Sequence, residues 1–165
     1  MQQRKGSLLS FRPDIKVLDA TLRDGGLCNN FRFTDEFATA LYKMNLAAGV
    51  DYMEMGYKAS KTMFDREKFG KYKFCDEEDL RKIVGDNQTD LKISVMADVG
   101  RTDFRKDIIA KKDSVIDTVR VACYITEIPA AIEMIEYCAN LGYETCVNVM
   151  AVSKARDEEI DSALE

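Results

Sequence analysis

A chain of 165 residues with 46% hydrophobic and 32% charged content can bury one sizeable core as a single globular domain. Its net charge of −5, with no concentrated basic patch, argues against a nucleic-acid partner. No stretch approaches the roughly 20 apolar residues that cross a bilayer, so no membrane partner is expected.

Residues 1–14 read as a lead-in, and their apolar stretch is too short for a secretory signal. Five cysteines, an odd number without a C-x-x-C pair, suggest reduced thiols and a cytoplasmic location. There is no histidine, which removes the usual acid–base group and the commonest metal ligand.

From residue 15 to 165 the chain reads as one domain. Alternating apolar runs predict strands at residues 16–22, 52–56, 92–99, 118–124 and 144–152. Between the first two, Thr34 is placed to cap a helix with a stripe of Phe37, Leu41, Met44 and Ala48. Asp76 can cap a short helix carrying Leu80, Ile83 and Val84, ended by Gly85. Ile128, Ala131, Ile132, Ile135 and Ala139 form a third stripe, closed by Gly142, and a last helix begins near Asp157.

Strands alternating with helices call for a parallel sheet with right-handed crossovers. Two architectures fit: a complete doubly wound sheet, or the first five units of a (β/α)8 TIM barrel of roughly 250 residues. Central strands of a doubly wound sheet lie under helices on both faces and read as continuous apolar runs. Here one face is polar in strand after strand: Asp19, Thr21 and Arg23; Glu54; Ser94 and Asp98; Arg120 and Tyr124; Asn148. Inward charges are costly unless they meet in a polar cavity, which a barrel mouth supplies. The fold expected is therefore a partial barrel of five βα units. Its open sheet edges should be buried in a partner, so a homo-oligomer is expected.

The sharpest motif is Leu18-Asp19-Ala20-Thr21-Leu22-Arg23-Asp24-Gly25-Gly26. It reads as a strand running into a two-glycine turn, with Arg23 and Asp24 at the strand end. Asp supplies a hard oxygen ligand to a divalent cation, and Arg can stabilise an oxyanion on a substrate carbonyl. An ion pair beside a tight turn accounts for the same residues. Neither a dinucleotide fingerprint nor a phosphate loop is present.

This motif, followed by Asn29-Asn30-Phe31, resembles the first strand of the DRE-TIM metallolyase superfamily, which includes HMG-CoA lyase-like and 4-hydroxy-2-oxovalerate aldolase-like enzymes. Similar second-, third- and fifth-strand motifs recur at Glu54-Met55-Gly56-Tyr57, Met96-Ala97-Asp98-Val99 and Asn148-Val149-Met150-Ala151. The resemblance implies a metal-dependent lyase or aldolase that makes or breaks a C–C bond through the enolate of a small-molecule 2-oxo acid or acyl compound. An acyl-CoA condensing synthase is a variant, and a non-catalytic binding module on the same scaffold is the alternative.

It further implies that Arg23 stabilises the enolate, that Glu54 supports the metal site or that arginine, and that Asp24 is a ligand to Mg2+ or Mn2+. The family completes its metal site with a His-x-His pair on a later strand, which would lie beyond Glu165. Asn30, Arg120 and Asn148 are candidate substrate binders, an inward arginine being suited to a carboxylate. Arg120 can equally pair with Glu54 or Asp98. The general base is unassigned, with Tyr124 and Cys28 as candidates. The basic-aromatic stretch 58–74 is long for a βα loop and suits a lid, a contact for an anionic substrate tail, or a solvated loop with anchoring aromatics.

Overall fold

The fold was examined in a computed structural model that describes residues 14–164. The lead-in expected at 1–14 therefore lies outside the described residues, apart from Asp14. Five strands, β1 (Leu18–Asp19), β2 (Tyr52–Tyr57), β3 (Lys92–Asp98), β4 (Thr118–Tyr124) and β5 (Glu144–Met150), form one sheet. All neighbours are parallel and their spatial order is β1-β2-β3-β4-β5. A doubly wound sheet reverses its strand order at a switch point, whereas a barrel adds each strand beside the last. The partial barrel is therefore the observed fold.

Among the described residues the α-helices are α1 (Thr21–Asn29), α2 (Asp35–Ala48), α3 (Glu77–Val84), α4 (Phe104–Asp107), α5 (Ile128–Asn140) and α6 (Asp157–Leu164). The expected cap at Thr34 is present, its side chain accepting the Phe37 N–H. The stripe on α2 is displaced from expectation. Ala38, Tyr42 and Asn45 are buried, while Phe37 and Met44 are 46% and 67% exposed. Hydrogen bonds turn the helix: Asn45 donates to Asp19 at 2.6 Å and the Tyr42 hydroxyl to Asn87 at 2.8 Å. On α5 the buried line is Ala131, Met134 and Cys138, and Ile132 faces out. The α3 stripe is as expected, although Asp76 spends its carboxylate on Lys61 and Arg66 rather than on the helix end.

The largest departure is at the first motif. The predicted strand at 16–22 contracts to two residues, and Thr21 through Asn29 is helical. Asp19 accepts the Thr21 backbone N–H at 2.9 Å, an Asx-type turn that starts the helix, and Asp24 N–H closes its first turn on Ala20. Gly25 and Gly26 thus lie within α1 instead of forming a turn. Gly26 is required there by packing, because a Cβ would sit 2.2 Å from the Phe31 ring. The reversal comes later, where Asn30 and Phe31 both take positive φ, 54° and 62°.

The core lies between the sheet and the helices, from Leu22 on α1 through Met53, Met55, Ile93, Val95, Val119 and Val121 to Cys138. At the N-terminal ends of the strands, carboxylates tie neighbours together. Asp51 accepts the Val17 N–H, Asp117 the Ile93 N–H, and Glu144 both the Tyr52 hydroxyl and the Lys92 ammonium. Such fastenings leave the opposite, C-terminal ends free for a site.

β5 is much less covered than β2 to β4, with Cys146 and Val147 exposed, and among the described residues it pairs only with β4. An unpaired strand edge beside exposed apolar side chains favours association. In sedimentation velocity the 165-residue chain is expected to run as a dimer or larger species; a monodisperse monomer would contradict this.

Candidate functional site

β2 carries the centre of the site. Glu54 is fully buried and its backbone is paired with Ser94 of β3, on the sheet face turned away from the main helix layer. A lone carboxylate there would be several kcal/mol too costly to ionise, so it needs cationic partners. It has two. The Arg23 Nε donates to Oε2 at 2.8 Å, and one terminal nitrogen of Arg120 donates to both oxygens at 2.9 and 3.0 Å. Arg120 also donates to the Asn148 side-chain oxygen at 3.3 Å. A single network thus crosses α1, β2, β4 and β5.

Arg23 reaches Glu54 from the first turn of α1, not from a strand end as the sequence suggested. Its guanidinium also pairs with Asp24, which is 60% exposed at its side chain. Burial works against the Arg23 charge, but hydrogen bonding to Glu54 and then to Tyr57 outweighs it, and its pKa is raised. One buried carboxylate neutralises only one of two guanidiniums. The second is matched by the exposed carboxylate of Asp24.

Beside this network stand Tyr57 and Asp98, from the second- and third-strand motifs. The Tyr57 hydroxyl sits beside Arg23, and its pKa is raised by burial and then by the charge of Asp98. Burial also pushes the Asp98 carboxyl above its usual range, with Lys73, Arg101 and Arg23 acting the other way. Tyr57 is aimed by an irregularity in β2, where pairing with β3 shifts between Glu54 and Tyr57. Gly56 makes that possible: its φ is 156°, and a Cβ would lie 1.8 Å from the Tyr72 carbonyl oxygen. The E-x-G-y pattern carried the signal, although periodicity alone does not reveal the irregularity.

Of the predicted residues, Arg23, Asp24, Glu54, Arg120 and Asn148 come together. Asn30 instead ends α1, its backbone carbonyl accepting the Gly70 N–H at 2.8 Å. Tyr124 and Cys28 are exposed and take no part in the network. Stretch 58–74 is neither solvated throughout nor detached. Lys58, Ser60, Tyr72, Lys73 and Phe74 are buried, and only its middle is a run of exposed turns.

The donor set for a divalent cation is incomplete. Among the described residues no three His, Cys, Asp or Glu side chains group closely enough to hold one, and Asp24 is engaged by Arg23. These residues do not make a metal site by themselves. Among the described residues, too, no helix is long and apolar enough to cross a membrane.

No family model matches the chain. A curated relative, 4-hydroxy-2-oxovalerate aldolase 6 of Rhodococcus jostii, is 27% identical over 153 residues, 90% of this chain but 41% of that protein. The crystal structure of the N-terminal domain of a candidate aldolase from Bacteroides vulgatus matches with a TM-score of 0.72 at 25% identity. That match covers 88% of this chain and 48% of that one. The chain thus spans less than half the length of either relative. Both findings uphold the resemblance read from the motifs, to the N-terminal part of a DRE-TIM metallolyase barrel.

If Glu54 holds the network together, Glu54→Gln should be severely destabilising, because two half-buried guanidiniums would lose their shared counter-charge. A loss of about 3–5 kcal/mol is expected in denaturant unfolding at neutral pH. A change below about 1 kcal/mol would show that the arginines find other partners.

Proposed function

We propose that this chain contributes the arginine-bearing half of an aldolase site, where a C–C bond beside a carbonyl breaks through an enolate of a 2-oxo acid. The observation that carries it is the pair of arginines held on one buried carboxylate in the interior of β2. Both relatives point to the lyase direction rather than to acyl-CoA condensation.

The chemistry follows from the donors left over. Arg23 commits its Nε to Glu54 and one terminal N–H to Asp24, which leaves further N–H donors of its five for a substrate oxygen. When the bond beside a carbonyl breaks, negative charge collects on the carbonyl oxygen. A guanidinium already desolvated and fixed by Glu54 meets that charge without reorganising. Arg120, tied to Glu54 and Asn148, keeps donors for a further substrate oxygen. Glu54 itself, clamped by two cations, acts as their positioner and not as a proton carrier. Mg2+ or Mn2+ belongs to the proposal through Asp24 alone, and the ligands that complete its shell must come from outside these residues.

Enolisation can be read without the natural substrate, as exchange of the methyl protons of pyruvate in D2O followed by NMR. The intact protein with Mg2+ or Mn2+ should catalyse it, and Arg23→Ala should slow it about 100-fold or more. No exchange by the wild-type protein with either metal would sink the aldolase reading and leave a binding module.

A further inference from the structure

Lys73 ends the short 3-10 turn Lys71–Lys73 and is only 7% exposed. Lysines ordinarily extend their ammonium into water. This one is enclosed by aromatic rings, with Nζ 4.4 Å from the centroid of Phe64, 4.5 Å from Tyr57, 5.0 Å from Phe31 and 5.8 Å from Phe69. The rings brace each other: Phe31 meets Tyr57 edge to face at 5.5 Å, and Phe64 meets Phe69 the same way at 5.8 Å.

Ring faces attract the cation but take none of its N–H donors as an oxygen would. Among the described residues no hydrogen bond or ion pair involves Nζ. Asp98 acts on it through space only, and burial pulls its pKa below the ordinary lysine value. A charge so placed is a cost to the fold, since a buried ammonium without acceptors forfeits its hydration. Its location suggests the compensation. Tyr57 connects it to the site: its ring centroid lies 4.5 Å from the Lys73 Nζ, and its hydroxyl interacts with Arg23.

We propose that Lys73 is a further substrate-binding residue, whose ammonium receives a carboxylate of the same molecule whose carbonyl oxygen Arg23 holds. This inference rests on the site reading given above and adds to it the recognition of an anion. The aromatic rings fix the ammonium in place, so little order has to be created on binding. A substrate carboxylate then supplies the acceptors that the protein withholds. Neutral carbonyl compounds lack that group and would be discriminated against.

The test is calorimetric titration of the 165-residue chain with oxamate, an unreactive isostere of pyruvate, alongside thermal unfolding. Lys73→Met keeps the aliphatic stem between the rings. It should weaken oxamate binding about tenfold or more, while Tm stays level or rises. Lys73→Met binding like wild type would overturn the inference, as would a lowered Tm with binding intact, which marks a purely structural cation. In that event Arg23→Met decides the broader reading, which survives if this variant loses binding. A wild-type chain that takes up no oxamate overturns both. Should Lys73→Met fail to fold, the lysine Cε resonance in 13C-labelled wild type replaces it: oxamate must shift the Lys73 signal, and no shift refutes the proposal.

Discussion

The desolvation of Glu54 is the constraint on which the rest of this half-barrel turns. A carboxylate with no exposed surface, in the middle of a parallel strand, is stable as an anion only if cations are brought to it. Arg120 comes from two strands away, a separation of about 10 Å across β3 that its long side chain must bridge. The register permits this: Glu54 pairs with Ser94 and Arg120 with Met96, so the small serine side chain leaves a path. The second cation cannot come from β1 if β1 continues as a strand. The chain instead turns into α1 after Asp19 and carries Arg23 over the face of the sheet. Even the brevity of β1 is thus consistent with the demand at Glu54.

The same constraint explains which features could be read from the sequence. Strands β2 to β5 announced themselves by alternation, and the polar residue repeated on one face of each distinguished a barrel from a doubly wound sheet. The residues of the network were legible for the same reason, since an inward charge has few harmless explanations. The conformation of the first motif was not legible. Leu18, Ala20 and Leu22 alternate like a strand, and two adjacent glycines are poor helix formers, so local preference points away from α1. Packing overrides it: Gly26 must admit the Phe31 ring, and Leu22 fills the core. On α2 the apolar stripe misled because Asn45 and Tyr42, polar at their tips, face inward to hydrogen-bond Asp19 and Asn87. At Asn30 the motif did not show the left-handed backbone with which the chain ends α1. The lysine at 73 was visible only as part of a basic-aromatic stretch, because an enclosed cation leaves no periodic trace.

A buried ion cluster of this kind is a weak source of stability, since well-packed apolar side chains of similar volume commonly serve as well or better. It lies inside the sheet, clear of the carboxylate fastenings of Asp51, Asp117 and Glu144 at the N-terminal ends of the strands, where barrels keep their stable floor. The arrangement makes physical sense as pre-organisation. Guanidiniums already stripped of water and held by Glu54 can meet an anionic enolate at little further cost.

The account's central claim is that the Arg23–Glu54–Arg120 cluster is kept for chemistry and not for stability. The most direct measurement is pyruvate methyl-proton exchange by the intact protein in which the three residues are replaced together by Met, Leu and Met, after cooperative unfolding has verified its fold. The account predicts a folded protein, as stable as the wild type or more so, whose exchange has fallen to the uncatalysed rate. Exchange persisting at the wild-type rate in that folded variant would contradict it.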